Sequence, residues 1–216
     1  MQYRTRLLLL GMLCLTLASA CTSKSEGEPG PAESTRSTTQ SSEQPTTSDT
    51  DTEEDLPTDG APAVSDPLDT ATFQQDPCQS LTAAQSQELN VGTTGKRYDD
   101  TLGNGCQWMN TQTLGETIIG FLDKDPRGLS AVYKADKAGE WAYFEELPAI
   151  DGYPAVARSQ TDDRGDGYCS VVIGASDEVA FDVYLHLSRN NVGKKDPCEV
   201  AAQVGGMALQ TMQHGG

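Results

Sequence analysis

The chain has 216 residues, with 32 acidic and 15 basic side chains and a formal net charge of −17. So acidic a chain lacks the basic stripe by which proteins bind nucleic acid, and anionic lipid headgroups would repel it, which excludes both as direct partners. Because it has only two histidines and no Cys-x-x-Cys pair, we expect neither a metal site nor a cofactor.

The first 20 residues have the pattern of a lipoprotein signal peptide. Arg4 and Arg6 precede an apolar run over residues 7–18, which is shorter than the roughly 20 residues that a membrane-spanning helix needs. Small residues then lead directly into Cys21, as in a bacterial lipobox. We therefore expect cleavage after residue 20, a palmitate-type lipid anchor on Cys21, and a location on the extracytoplasmic face of the cell membrane. The alternative is ordinary secretion with Cys21 left free.

Residues 21–67 form an acidic linker that starts at the predicted lipid site. Between residues 22 and 67 there are 17 Ser or Thr, and 11 acidic side chains oppose only Lys24 and Arg36. A segment with so few large apolar side chains cannot bury enough surface to offset the entropy of ordering, so we predict that it is disordered. It would serve as a leash between the membrane and a folded domain at residues 68–216.

The folded domain repeats an Asp-Pro sequence that is typical of helix starts. Asp-Pro-Cys occurs at residues 76–78 and 196–198, and Asp-Pro occurs without Cys at residues 125–126. Asp is a good N-cap, and Pro suits the first helical position because an N–H there would have no helical partner. We predict helices after each Asp-Pro, the first ending near Asn90, the second near Gly139 and the third near the C-terminus. Two adjacent glycines at residues 205–206 either weaken the third helix or let it approach the sheet closely.

Six segments have the features of β-strands. In residues 178–187, every second residue from Val179 to Leu187 is apolar, while Asp182 and His186 face the other way. Short turns between consecutive strands indicate antiparallel pairing, so the predicted fold class is α+β, an antiparallel β-sheet packed against helices. The strands are expected at residues 106–111, 116–123, 141–147, 153–160, 169–174 and 178–187.

The domain contains four cysteines, Cys78, Cys106, Cys169 and Cys198. An even count in an exported chain is typical of disulfides. The last two predicted strands form a hairpin, whose second strand returns toward Cys169, and ten residues then lead to Cys198. We therefore predict the pairs Cys169–Cys198 and Cys78–Cys106, with the two other connectivities left open.

Two polar groups are candidates for chemistry. Residues 162–167 match a calcium loop only in part, because Arg164 occupies a ligand position, so an acidic hairpin loop is the preferred interpretation. On the polar face of the last strand, His186 could pair with Asp182 as a catalytic base, but no nucleophile motif accompanies them. We therefore predict no catalytic residue and no metal site.

Aromatic residues supply the candidate binding surface. Trp141, Tyr143 and Tyr153 are close in sequence, and Trp108 lies on a predicted strand. These side chains could line a ligand groove or a patch for a partner. Packing in the core is the alternative for each of them.

Five short motifs follow one another along the domain. They are DPC-x-x-L from residue 76, C-x-W at 106–108, GYPA at 152–155, C-x-V at 169–171 and DPC-x-x-A from residue 196. This frame, together with the lipobox and leash, resembles a family of actinobacterial lipoproteins known only as a domain of unknown function. The resemblance implies an envelope lipoprotein with an α+β sandwich, and it assigns no catalytic residue.

The functional expectation is a non-enzymatic binding or accessory domain, held at the membrane by its lipid anchor. Its partner would be an envelope protein, a cell-wall component or a small apolar ligand, and not nucleic acid. One alternative is a structural or stress-related envelope protein without a small-molecule ligand. The least favoured is a hydrolytic enzyme using Asp182 and His186.

Overall fold

The computed structural model describes residues 55–99 and 103–215. The predicted signal peptide, the lipid site Cys21 and most of the predicted linker lie outside these residues. Short 3-10 turns occur at Pro77–Gln79 and Arg164–Asp166. The α-helices of the described part are α1 (Ala71–Gln75), α2 (Ala83–Glu88), α3 (Gly128–Lys137) and α4 (Pro197–His214), and its strands are β1 (Lys96–Asp99), β2 (Asn104–Met109), β3 (Glu116–Phe121), β4 (Tyr143–Ile150), β5 (Tyr153–Ser159), β6 (Tyr168–Gly174) and β7 (Ala180–His186).

These strands form one antiparallel sheet in the order β1-β2-β3-β7-β6-β5-β4. Each of two meanders, β1 to β3 and β4 to β7, pairs neighbours in sequence, and the meanders join where β3 pairs with β7. Helix α3 carries the chain between them. The predicted α+β class and all six predicted strands are confirmed, and β1 is the strand that the sequence did not predict, since its four residues, KRYD, are mostly charged.

One face of the sheet, which we call the helix face, is covered by the helical segments at the start of the domain sequence and by α4 at its end. The alternation predicted for β7 is confirmed, because Phe181, Val183 and Leu185 are buried in this layer. Helix α4 packs on β6 and β7 and buries Val204 and Ala208 completely. Burial of a large aliphatic or aromatic side chain contributes about 1.5–3 kcal/mol, so this layer is the main source of stability.

Helix α4 lies unusually close to the sheet at Gly205. A Cβ atom built on Gly205 would come within 2.4 Å of Ile173 Cδ1, whereas one built on Gly206 would meet nothing nearer than 3.5 Å. Of the two readings of the glycine pair, close approach therefore holds for Gly205. Across the described residues, none of the helices has both the length and the apolar character needed to cross a bilayer.

Two of the three Asp-Pro sequences precede an α-helix directly. Asp196 caps α4 as predicted, because its carboxylate accepts hydrogen bonds from the backbone N–H groups of Cys198 at 2.7 Å and Glu199 at 3.2 Å. Helix α3 also follows its Asp-Pro, but its N-cap is Arg127. The Asp125 carboxylate instead accepts from Arg127 Nε at 2.7 Å, and this hydrogen bond lowers the pKa of Asp125.

The helix predicted from the first Asp-Pro to Asn90 is wrong. Asp76 caps no backbone N–H, and its carboxylate accepts from the Gln79 side-chain amide at 3.0 Å instead. The chain makes one 3-10 turn, and α2 then starts separately at a capping box between Thr82 and Gln85. Two competing start signals within seven residues therefore divide the segment, since each one sets its own helix axis.

Both predicted disulfides are confirmed. Cys78–Cys106 joins the 3-10 turn to β2 with a Cα–Cα distance of 5.0 Å, and Cys169–Cys198 joins β6 to the start of α4 at 5.1 Å. The second bridge therefore fixes the first turn of α4 on the sheet, next to the N-cap of that helix.

Residues 55–67, which the sequence assigns to the linker, contact the folded domain. The backbone N–H of Thr58 donates to Ser130 Oγ at 2.8 Å, and that of Val64 donates to Asp177 Oδ1 at 2.8 Å. Ala61 and Val64 are buried. The folded unit therefore begins before residue 68, and the chain enters it along α3.

Candidate binding site on the open sheet face

The face of the sheet opposite the helix face is only partly covered. Helix α3 and Ala61 pack on Val156, Val172 and Ala180, and we call the rest of this face the open face. Met109 lies there and is 42% exposed. Among the described residues it is the one large hydrophobic side chain that is exposed. A solvated sheet face normally carries polar side chains, so the aromatic character of this one distinguishes it. Strand pairing places on it Tyr98, Gln107, Met109, Glu116, Ile118, Tyr168, Tyr184 and His186.

A cleft of about 700 Å³ opens on this face beside the loop between β5 and β6. We call it the tyrosine cleft. Its floor is the sheet, and its rim is the loop, which contributes Gln160, Thr161, Asp163 and Asp166. The volume falls within the range of about 300–1,000 Å³ that is usual for small-molecule sites. The sheet contributes Arg158, Tyr168, Ser170, Asp182 and Tyr184.

A hydrogen-bonded ion pair lies at the inner end of the tyrosine cleft. Arg158 Nη2 donates to Asp182 Oδ2 at 2.7 Å, and the two side chains are only 13% and 17% exposed. Ser170 Oγ donates to the other carboxylate oxygen of Asp182 at 2.5 Å. Trp141 covers the guanidinium, with Arg158 Cζ 4.7 Å from the ring centroid. Arg158 Nε is buried and has no acceptor among the described residues, so the positive charge is neutralised while one donor stays unused.

The aromatic rings at the tyrosine cleft contact one another, and their polar atoms make no hydrogen bond within the described part of the chain. Tyr168 stacks on His186 across the strand pair, with ring centroids 4.0 Å apart, and lies 6.1 Å from Tyr184. Within residues 55–99 and 103–215, no hydrogen bond engages either phenol or the imidazole. Burial, with the nearby phenol of Tyr168 and the carboxylate of Glu116, raises the pKa of Tyr184 to about 12. The Tyr184 phenol therefore remains a neutral donor and acceptor at physiological pH.

A second, more apolar cleft of about 450 Å³ lies along α3 and meets the tyrosine cleft at Arg158 and Gln160. Val132 and Trp141 line it, and Trp141 Nε1 donates to the carbonyl of Val132 at 3.1 Å. This hydrogen bond fixes the Trp ring between the helix and the guanidinium. A movement of α3 would therefore move the Trp141 ring relative to the Arg158 guanidinium.

Comparison with known proteins gives the family. Residues 16–211 match the model of a family described as Protein of unknown function (DUF3558). The chain belongs to this family. Neither a curated protein nor a solved structure matches it. The match confirms that the chain resembles a domain of unknown function. It covers Cys21 and the linker as well as the folded domain, and its description names no activity.

The aromatic residues predicted as a binding surface of this DUF3558 protein are spread over both faces of the sheet. Trp108 is 2% exposed and, like Tyr153, lies in the core of the helix face. Tyr143 is partly exposed, with Arg164 Cζ 3.5 Å from its ring centroid. Of the four, Trp141 alone borders a cleft described above. Core packing is thus the better interpretation of Trp108 and Tyr153.

The structure of this DUF3558 protein keeps Asp182 and His186 apart. They are four residues apart on one strand, which at about 3.3 Å per residue corresponds to roughly 13 Å. Both carboxylate oxygens of Asp182 are engaged by Arg158 and Ser170, and His186 stacks on Tyr168. The geometry therefore does not support the least favoured alternative, in which Asp182 and His186 act as a pair.

Residues 162–167 form the predicted loop between two strands. Asp162 accepts from Arg164 at 2.7 Å and 2.9 Å, and these hydrogen bonds lower the pKa of Asp162. A calcium ligand at Asp162 would have to displace this cation. In the part of the chain that the structure describes, no group of three or more His, Cys, Asp or Glu side chains is placed to hold a metal ion.

Sequence reasoning missed Arg158, Tyr168 and Tyr184. Tyr184 lies between Asp182 and His186 on the polar face of β7, so the alternation that singled out those two residues also marks it. Arg158 carried no such signal, because its partner is 24 residues away in sequence and is brought to it by the pairing of β5, β6 and β7.

Proposed function

We propose that this protein is a membrane-anchored extracytoplasmic lipoprotein whose domain binds a component of the cell envelope through the tyrosine cleft, without catalysing a reaction. The observation that carries the proposal is the cleft itself, where uncommitted phenols lie on a rigid sheet that two disulfides fasten. Disulfides persist in oxidising compartments outside the cytoplasm, and the sequence before Cys21 supports lipidation.

The arrangement of the polar groups supports binding over catalysis. Nucleophilic catalysis requires a nucleophile and a base within hydrogen-bond reach of each other. Ser170, the hydroxyl at the inner end of the cleft, donates to a carboxylate that is already paired with Arg158. Both oxygens of that carboxylate already accept hydrogen bonds, from Arg158 and from Ser170, so neither is free to accept a proton from a substrate group. The network therefore serves better to hold the floor of a binding site than to move a proton.

The anchoring half of the proposal is tested in the native host. Metabolic labelling with an alkyne fatty acid should label the protein and place it in the membrane fraction, where added protease reaches it on intact spheroplasts. Cys21→Ala should abolish labelling and release the protein, whereas Ser23→Ala, a matched change two residues away, should not. Labelling that survives Cys21→Ala, or protection from protease, would overturn the anchor.

The binding half is tested by affinity capture of the lipidated protein from its own membrane, followed by identification of co-purified proteins, lipids and glycans. The double variant Tyr168→Ala/Tyr184→Ala should lose the component that the unmodified protein retains. Tyr143→Phe, which removes a phenol hydroxyl outside the cleft and keeps the ring that contacts Arg164, is the control. Identical captured material from all three proteins would refute a binding role for the cleft.

A further inference from the structure

The charge of the tyrosine cleft restricts what it can bind. Arg158, the cation on its wall, is neutralised by Asp182 at 2.7 Å, and the carboxylates of Asp163 and Asp166 are exposed on the rim. The potential in the cleft is therefore negative. Phosphate-rich or carboxylate-rich polymers would be repelled, because like charges facing each other across an interface oppose binding.

The lining of the cleft also argues against a small apolar ligand. Apart from the disulfide-bonded Cys169, every residue that lines it carries a hydroxyl, carboxylate, amide or guanidinium group. Arg158, Ser170 and Asp182 already bond to one another. An apolar ligand would desolvate the two phenols and the rim groups without replacing their hydrogen bonds to water, at a cost of about 1–3 kcal/mol for each one. The ligand must therefore bring many hydrogen-bonding groups of its own and no negative charge.

The two tyrosines add a requirement of shape. Their rings stand on neighbouring strands with centroids 6.1 Å apart, and neither phenol has a hydrogen-bond partner among the described residues. A sugar ring meets this combination, since its C–H faces pack on aromatic rings while its hydroxyls both donate to and accept from phenols, carboxylates and amides. The cleft is shallow and continues onto the open face toward Ile118 and Met109, so an extended chain fits it better than an enclosed small molecule.

We infer that the tyrosine cleft binds a neutral glycan strand of the cell envelope. This inference rests on the proposed function, since it names the chemical class of the envelope component. Tyr168 and Tyr184 supply the packing surface and two hydrogen-bonding hydroxyls. Gln160, Asp163 and Asp166 supply further acceptors on the rim.

The experiment uses the full-length protein, purified in detergent, and envelope polysaccharide from its own host, prepared by delipidation, exhaustive protease digestion and removal of anionic polymers. Co-sedimentation over a range of glycan concentrations gives the dissociation constant. Periodate oxidation of the same material destroys vicinal diols and should abolish binding. Raising NaCl from 50 to 500 mM should change the dissociation constant less than twofold, because neutral ligands are insensitive to charge screening.

Conservative variants identify the cleft. Tyr184→Phe and Tyr168→Phe keep the rings and remove one hydroxyl each, which should raise the dissociation constant roughly 2- to 12-fold, the value of one neutral hydrogen bond. Tyr143→Phe is the matched control, because its phenol lies outside the cleft and bonds to Glu145. It should bind like the unmodified protein. Unchanged thermal unfolding of all three variants would show that they are folded.

The outcomes separate this inference from the proposed function. Absence of binding to the untreated glycan, or equal losses in Tyr143→Phe and Tyr184→Phe, would overturn the glycan assignment. Binding that falls steeply with salt and with Asp163→Asn/Asp166→Asn would assign the cleft to a cationic ligand instead. If capture from the membrane yields a protein that depends on Tyr168 and Tyr184 while no glycan binds, the proposed function stands and the glycan assignment falls. If the glycan binds but the native protein proves not to be lipidated, the glycan assignment stands and the proposed membrane anchor falls.

Discussion

Replacing Gly205 by Ala tests the close contact between α4 and the sheet. The added Cβ would lie 2.4 Å from Ile173 Cδ1, and carbon atoms in contact normally lie about 3.5–4.0 Å apart. Ile173 is completely buried, so its Cδ1 can rotate away only into core that is already packed; otherwise the helix or the strand must shift by about 1 Å. Overpacking of this kind costs about 1–3 kcal/mol, while Ala in place of Gly within a helix returns about 1 kcal/mol. We expect a net loss of about 0–2 kcal/mol.

Gly206 provides the matched control on the same helix. Its added Cβ would lie 3.5 Å from Ile150 Cγ2, an ordinary contact, so Gly206→Ala should stabilise the protein by about 0.5–1 kcal/mol. The two variants should therefore differ by about 1–3 kcal/mol in the free energy of unfolding. Urea denaturation with the disulfides intact, followed by circular dichroism, measures this difference at constant m-value.

A third variant isolates the cause. Ile173→Val removes the Cδ1 atom that the new Cβ would meet, and alone it should cost about 0.5–1.5 kcal/mol. Combined with Gly205→Ala, it should relieve the clash, so the double variant should be more stable than the sum of the two single effects. The reasoning is refuted if Gly205→Ala is as stable as Gly206→Ala, or if the two changes are simply additive.

Three further predictions concern the bridges, the ion pair and the tyrosines. Replacing both cysteines of the second disulfide by Ala should lower the free energy of unfolding by about 3–4 kcal/mol, because its sequence separation is 29; a loss below about 1 kcal/mol in urea denaturation would contradict this. Asp182→Asn should lower it by about 2–4 kcal/mol, since it leaves the charge of Arg158 unpaired in a largely buried site. Asp162→Asn, at a surface ion pair, should leave the unfolding midpoint unchanged. Because the pKa of Tyr184 is raised to about 12 from about 10 in the unfolded chain, its contribution to stability is complete below pH 10 and is lost between pH 10 and 12. Tyr184→Phe should therefore reduce the alkaline loss of stability, and an unchanged profile would count against the burial of this phenol.

The strands could be predicted from sequence because their alternation reports directly on burial. In β7 the residues from Phe181 to Leu185 alternate between core and open face as expected. The hairpin of β6 and β7 then fixed the position of Cys169 relative to Cys198, and the remaining disulfide followed.

The conformation after Asp76 could not be predicted from the helix start signal. The signal consists of adjacent residues, whereas the conformation also depends on contacts with residues distant in sequence. The same Pro-Cys follows Asp76 and Asp196, yet the Asp76 carboxylate binds the side chains of Gln79 and Arg97 instead of backbone N–H groups. Arg97 is 21 residues away in sequence. The start signal at Asp76 therefore competes both with this contact from β1 and with the capping box at Thr82.

The tyrosine cleft lay beyond sequence reasoning for a different reason. Alternation separates the two faces of a strand, but it does not say which face a helix will cover. The aromatic residues from Trp141 to Tyr153 were predicted as one surface because they are close in sequence, but in the fold they lie on opposite faces of the sheet. The cleft instead collects Arg158, Tyr168 and Tyr184 from three different strands.

The two disulfides also determine how the chain would respond to a nick. Their loops, Cys78 to Cys106 and Cys169 to Cys198, follow one another without overlapping, so residues 107–168 are enclosed by neither. A single cut within either loop leaves all pieces covalently connected, whereas a cut between the loops yields two fragments held only by β-sheet pairing and core contacts. The segment between the loops carries β3, α3, β4 and β5, and Arg158 lies within it. A non-reducing gel therefore reports directly on a cut in this segment.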